Sequence, residues 1–289
     1  MPKLTSDSTR HFGKVFDQVA QEYDRNRPRY PEQLIDRACQ IANLENGDRV
    51  LEIGCGTGQL TQSLLSRGLA VTAVEPGEQL LSLAAQKVVG SGTIEFINSR
   101  FEDAQLPTNY YKAVFCASAF HWINPDVSWT KSADCLIPGG VIALIQYFGL
   151  IEERTSSDLE AQLTALAKVE PTLAADWPHY YELDEIIDGV EKRQKNISEA
   201  WAWLGSYDVG RSEVSNLFHD LQIAAIPFLI EQTSDELIAL LRTTSPYSRL
   251  TNEQQRDIEL EYARLYSTLG RPIRSSTINV LMTARKTSR

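Results

Sequence analysis

Val50-Leu51-Glu52-Ile53-Gly54-Cys55-Gly56-Thr57-Gly58-Gln59-Leu60 is the stretch on which the fold turns. An apolar strand runs into a turn with glycine at every second position, and the turn opens a helix that carries Leu60 and Leu64 on one face. Missing Cβ atoms permit a tight turn and let a ligand lie against the backbone amides at the helix start. A lone G-x-G says little. A dinucleotide turn is written G-x-G-x-x-G, which would need glycine at position 59, where Gln59 stands. Instead Gly58 comes one residue earlier, and an acid, Glu52, precedes the turn.

Working outward, short β-branched runs recur at Arg49–Ile53, Ala70–Glu75, Thr93–Asn98, Ala113–Ala117 and Val141–Phe148. They are apolar nearly throughout, as strands covered on both faces are. Helical windows fall between them at Gln59–Arg67, ended by Gly68, and at Gln79–Val88 and Val127–Leu136. This alternation predicts an α/β fold, Rossmann-like and doubly wound, with a mostly parallel seven-stranded sheet. From Ile151 to about Gln222 the pattern changes to helices and aromatics: Trp177, Tyr180, Tyr181, Trp201, Trp203 and Tyr207. Strand-like Ile223–Glu231, helical Asp235–Arg242 and Asn252–Leu269, and strand-like Ser275–Ala284 follow. The expected division is a core of 1–148 and 223–289 with an inserted helical cap, 151–222, over an acceptor site. Those aromatics form the cap's own core, line a pocket, or do both.

Composition narrows the class. Charge is −10 with a pI near 5.0, and no long Lys/Arg run is present. That is not the electrostatic footprint of a nucleic-acid binder, although Arg25, Arg27 and Arg29 cluster. No apolar run reaches the roughly 20 residues that span a bilayer. The opening Met1-Pro2-Lys3-Leu4-Thr5-Ser6-Asp7 is polar, unlike a secretory signal. Cys39, Cys55, Cys116 and Cys135 are widely spaced, which is neither a disulfide framework nor a zinc pattern. The expectations are a cytoplasmic protein with no metal, no nucleic-acid partner and no membrane association; oligomeric state is not legible.

The second strand ends in Val74-Glu75-Pro76-Gly77. A carboxylate there can accept both hydroxyl hydrogens of a ribose; the plainer reading is a surface acid before a turn. With Glu52 and the glycines of Val50–Leu60, it resembles class I S-adenosylmethionine-dependent methyltransferases. Phe16-Asp17-x-Val19-Ala20-x-x-Tyr23-Asp24 and Arg27-Pro28-Arg29-Tyr30-Pro31 resemble the N-terminal segment of the type 11 group. Ala119-Phe120-His121-Trp122-Ile123 and Pro138-Gly139-Gly140 are similar to its trans-aconitate methyltransferase-like branch. The likeness covers about 1–148, is looser over 223–284 and says little of 151–222.

The resemblance implies S-adenosyl-L-methionine as cofactor. Gly54, Cys55, Gly56 and Gly58 would form the turn facing its methionyl part, with Glu52 near the amino group. Glu75, followed by Pro76, would bind the ribose. Phe101 would hold the adenine with Glu102 or Asp103 at its amino group, and Ala117 and Ser118 would border the cofactor. Tyr23 and Arg27 would close over the methionyl carboxylate, unless Arg27-Pro28-Arg29 is only a solvated turn. His121, at the carboxyl edge of the sheet, is a candidate general base or a packing residue. Trp122 and Phe120 suit the walls of the site, offering a π face to a cationic sulfur.

The expected function is methyl transfer to a small-molecule acceptor through a carboxylate, oxygen or nitrogen. The alternatives are a macromolecular acceptor or a non-catalytic cofactor-binding protein. Asn124-Pro125-Asp126 does not match the Asn-Pro-Pro-Tyr type of base pocket. Gln59 opposes a nicotinamide oxidoreductase.

Overall fold

A computed structural model describes residues 16–171 and 180–288. Trp177 and the opening Met1–Asp7 lie outside the described residues. The elements alternate from α1 (Ala20–Asn26) and α2 (Glu32–Ile41) into β1 (Arg49–Ile53), α3 (Gln59–Ser66), β2 (Ala70–Glu75), α4 (Glu78–Lys87), β3 (Ile94–Asn98) and β4 (Tyr111–Ala117). Next come α5 (Pro125–Cys135), β5 (Leu136–Leu150), α6 (Ser156–Val169), β6 (Tyr180–Tyr181), α7 (Leu183–Glu191) and α8 (Ile197–Gly205). The chain ends with β7 (Phe218–Gln232), α9 (Ser234–Arg242), α10 (Ser245–Ser248), α11 (Asn252–Leu269) and β8 (Ile273–Lys286).

Seven strands run in the order β3-β2-β1-β4-β5-β8-β7. The first five are parallel, and β8 lies antiparallel between β5 and β7. This is the Rossmann-like doubly wound sheet that the alternation predicts. The short β6 adds an eighth strand off that path, parallel to Gly149 and Leu150. It stands inside the segment that the sequence presents as purely helical. Gly149 makes room for it, because a Cβ there would collide with the ring of Tyr180.

Local chemistry sets the boundaries. Gly68, at φ +74°, turns the chain out of α3 in the left-handed region that favours glycine. Asn124 caps α5 by accepting from the Asp126 amide at 3.0 Å, with Pro125 in the first turn. Thr233 with Glu236 and Thr251 with Gln254 form reciprocal capping boxes on α9 and α11.

Strand alternation divides the core. Val141, Ala143 and Ile145 pack on one face with Leu34, Ile35 and Leu64. Ile142 and Leu144 pack on the other with Trp129, Ile186, Trp201 and Leu204. The cap's apolar residues therefore join the core of the sheet instead of forming a separate one. Trp129, 1% exposed, also donates its indole N–H to the Val209 carbonyl at 2.9 Å, fastening cap to core. A further cluster joins Leu166 of α6 to Leu237, Ile238, Leu241, Tyr247, Ile258 and Tyr262. The helices between β7 and β8 thus pack on the cap, although the sequence pattern alone assigns them to the core.

Candidate functional site

The carboxyl ends of β1, β2, β4 and β5 open into a cavity of about 1280 Å³. That exceeds the roughly 300–1,000 Å³ of a usual small-molecule pocket and leaves room for a cofactor beside a second small molecule. The N-terminal segment, the cap and the α9–α11 insertion all reach it.

At the glycine turn, Gly54 and Gly56 line the cavity, whereas Cys55 and Gly58 do not. Gly56 has φ +53° and a Cβ there would meet nothing within 4 Å, so the backbone lies bare toward open space. Gly58, at φ +80°, serves packing: a Cβ would come to 3.0 Å from that of Ala84. Cys55 is buried. Glu52 is only 2% exposed and also lies off the cavity, accepting from the Thr61 hydroxyl at 2.7 Å. Burial, reinforced by the charge of Glu75, pushes its carboxyl up to about 7.

Glu75 is the carboxylate that the fold presents. It lines the cavity with Pro76, accepting from the Gly56 amide at 3.0 Å through Oε2 and from the Gly77 amide at 2.9 Å through Oε1. Two backbone donors fix the group and leave acceptor capacity on each oxygen. Burial raises its pKa and the neighbouring Asp17 adds to that, while the two amide hydrogen bonds oppose it.

Phe101 and Glu102 form the adjoining wall, and Asp103 does not line it. Glu102 accepts from Arg100 at 2.7 Å and from the Asn124 amide at 3.0 Å. The Lys131 ammonium lies 5.2 Å from the centre of the Phe101 ring. Ala117 and Ser118 border the cavity at the end of β4. Ser118 takes φ +55°, a conformation strained for a serine and common at functional turns.

From the N-terminal side come Tyr23 and Arg27. The Arg27 guanidinium lies 5.0 Å from the Tyr23 ring centre, donates to the Tyr147 hydroxyl, and donates to the Thr243 carbonyl at 2.6 Å. Asp24 pairs with Lys87 and accepts from Thr57 at 2.8 Å. Asp17 accepts from the Gln79 and Leu80 amides at 2.7 and 3.1 Å. The segment is therefore docked on both halves of the site.

His121 and Trp122 face it from the loop after β4. Trp122 meets Phe16 edge to face at 5.8 Å. The His121 imidazole is pushed down to about 3, by burial first and then by the Arg27 charge. It is neutral near pH 7 but weakly basic, so it suits a hydrogen-bonding role better than removal of a firmly held proton. Of the cap aromatics within the described residues, only Tyr207 lines the cavity. Trp201 and Tyr181 are buried in the core, and Trp203 carries Arg193 on its face at 4.7 Å.

Twelve of the residues singled out by the sequence thus converge on one cavity: Tyr23, Arg27, Gly54, Gly56, Glu75, Pro76, Phe101, Glu102, Ala117, Ser118, His121 and Trp122. Gln146 and Tyr147 of β5 join them, as do Thr244, Ser245, Pro246 and Arg249, which the sequence does not single out. Position at the end of the fifth strand could have pointed to the first pair. Thr244-Ser245-Pro246 carries no signal beyond a turn proline.

Comparison with known proteins agrees with this geometry. Residues 51–144 match the family model described as a methyltransferase domain. An uncharacterised methyltransferase of Mycobacterium tuberculosis is 34% identical over 138 residues, 48% of this chain and 54% of its own length. The chain therefore spans about half the length of that relative. The ubiquinone biosynthesis O-methyltransferase of Shewanella halifaxensis is 28% identical over 166 residues, 56% of this chain and 69% of its own. A solved structure from Anaeromyxobacter dehalogenans, described as a type II methyltransferase, shares the fold with a TM-score of 0.58 at 22% identity, covering 90% of this chain and 97% of that one. With the turn, the carboxylate and the sheet in register, residues 51–144 match a methyltransferase domain, and the chain around them has a Rossmann-like fold.

Proposed function

We propose that the protein transfers a methyl group from S-adenosylmethionine to a small-molecule acceptor. The observation that carries this reading is the pairing of Glu75 with the Gly56 amide, beside a backbone that any Cβ would cover. A fixed carboxylate and a bare turn fit a ribose diol joined to a zwitterionic amino acid. The sulfonium of the bound cofactor supplies an already activated methyl group, so positioning and exclusion of water lower most of the barrier.

The chain's residues divide that work. Gly54 and Gly56 offer backbone to the methionyl part, Tyr23 and Arg27 close over its carboxylate, and Phe101 with Glu102 holds the adenine. Phe16, Trp122 and Tyr207 wall the transfer region. The cap, through Tyr207 and Val209, selects the acceptor together with Thr244, Ser245, Pro246 and Arg249. A polar acceptor attached through oxygen is favoured by the named activity of the Shewanella relative; a carboxylate, as the trans-aconitate-like resemblance implies, and a nitrogen belong to the same proposal. No helix among the described residues is long and apolar enough to cross a membrane.

Titration calorimetry tests the cofactor half. S-adenosylhomocysteine should bind in the micromolar range, about −8 kcal/mol, and tighter binding of NAD would refute the reading. Transfer of labelled methyl to a fractionated metabolite extract tests the other half.

A further inference from the structure

We infer that Asp17 is a second carboxylate of the ribose subsite, one that the N-terminal segment delivers to the cofactor when it docks. This rests on the methyltransferase reading above. A single point beside Gly77, where its Cβ would stand, lies 2.9 Å from Asp17 Oδ1 and 3.1 Å from Glu75 Oε1. The two acids come from segments that meet only in the fold, and both line the cavity. Asp17 Oδ1 is engaged by the amides of Gln79 and Leu80 at the start of α4. Among the described residues no hydrogen bond is made to its other oxygen, which keeps its acceptor capacity there.

Two carboxylates so close repel each other, and burial of Glu75 strengthens the repulsion. A vicinal diol placed between them offers two O–H donors, one for each, and relieves that repulsion through charge-assisted hydrogen bonds. Glu75 belongs to the end of β2 and is held there by two amides. Asp17 belongs to the same segment as Phe16, which meets Trp122, and Arg27, which reaches Tyr147. Ribose binding and closure are thereby one event: the sugar fastens Asp17, and Asp17 carries Phe16, Tyr23 and Arg27 over the methionyl end.

The test is Asp17→Asn, since an asparagine oxygen still caps α4 while the second acceptor oxygen is lost. Calorimetry would compare S-adenosylhomocysteine with its 2′-deoxy and 3′-deoxy analogues on parent and variant. Trypsin cleavage after Arg25 and Arg29 would report closure. The expected result is an unchanged melting temperature without ligand and affinity about tenfold lower. One deoxy analogue should lose affinity on the parent but much less on the variant, and ligand should protect Arg25 and Arg29 only in the parent. If the parent binds S-adenosylhomocysteine but the variant binds it within twofold, or if both deoxy penalties persist in full on the variant, the assignment of Asp17 is overturned. If the parent binds no S-adenosylhomocysteine, the methyltransferase reading falls first and this inference with it.

Discussion

Tyr207 of the cap stacks on His121 of the core, their ring centres 4.3 Å apart and their planes 6° from parallel. The contact joins the segment proposed to choose the acceptor to the loop that follows β4. A stacked pair of this kind contributes about 0.5–1.5 kcal/mol beyond its buried area. Tyr207→Ala should therefore leave S-adenosylhomocysteine affinity within about twofold while acceptor turnover falls at least tenfold. Calorimetry and labelled-methyl transfer on the same preparation check this. Equal losses in both would place Tyr207 in the cofactor half.

Glu75→Ala should weaken cofactor binding by about 1.5–3 kcal/mol, because charge-assisted hydrogen bonds to hydroxyls are lost. The same change removes the acceptor of the Gly56 and Gly77 amides, so the melting temperature should also fall. Glu75→Gln keeps part of that acceptor capacity and should recover more stability than affinity. An affinity unchanged per folded molecule would make Glu75 purely structural.

The glycines of the turn should separate into two kinds. Gly58→Ala sets a Cβ against Ala84 in a left-handed backbone and should cost at least about 1 kcal/mol of stability. Gly56→Ala carries the same left-handed strain, but its Cβ meets no protein atom, so it should impair cofactor binding with a smaller loss of stability. Urea unfolding paired with calorimetry distinguishes them. Retained binding in the Gly56 variant would show that no ligand approaches that backbone.

Glu52 predicts a pH dependence. Its carboxyl is raised in the fold from 4.5 to about 7, so between these values the folded chain holds a proton that the unfolded chain has released. Its contribution to stability is full below about 4.5 and is lost as pH rises through about 7. Glu52→Gln should then raise the melting temperature more at pH 8 than at pH 5, relative to the parent at each pH. His121 acts in the opposite sense below pH 6.5, which is why each comparison is made at a single pH. A uniform shift at both values would mean that Glu52 is already ionised at pH 5.

The sheet is readable from sequence because its central strands β1, β2 and β4 are buried on both faces; Arg49–Ile53 and Ala70–Glu75 fall where expected to the residue. Glu75, Phe101 and His121 are readable for a related reason, since strand ends in an open α/β sheet face one edge. Glu52, Cys55 and Gly58 share the motif but not the cavity, because a tight turn points only some of its positions outward. Asp17, Gln146 and residues 244–249 are not legible as a group. Their meeting depends on long-range packing, such as Arg27 on the Thr243 carbonyl, to which no local periodicity corresponds. The cap aromatics mislead for a similar reason: Trp201 and Tyr181 serve the sheet's own core.

The place of β8 between β5 and β7 has a consequence for biosynthesis. As the chain leaves the ribosome, β5 is finished at Leu150, but its antiparallel neighbour does not begin until Ile273. At about 5–20 residues per second this leaves one edge of the central strand uncovered for roughly 6–25 s. That edge is apolar and long, the kind that pairs with stray strands. The short β6 does not cover it, since β6 pairs with Gly149 and Leu150 on the opposite edge, beyond the end of β4. A nascent chain stalled before Ile273 would then already contain every residue of the glycine turn and Glu75, yet be a target for chaperones instead of a working domain.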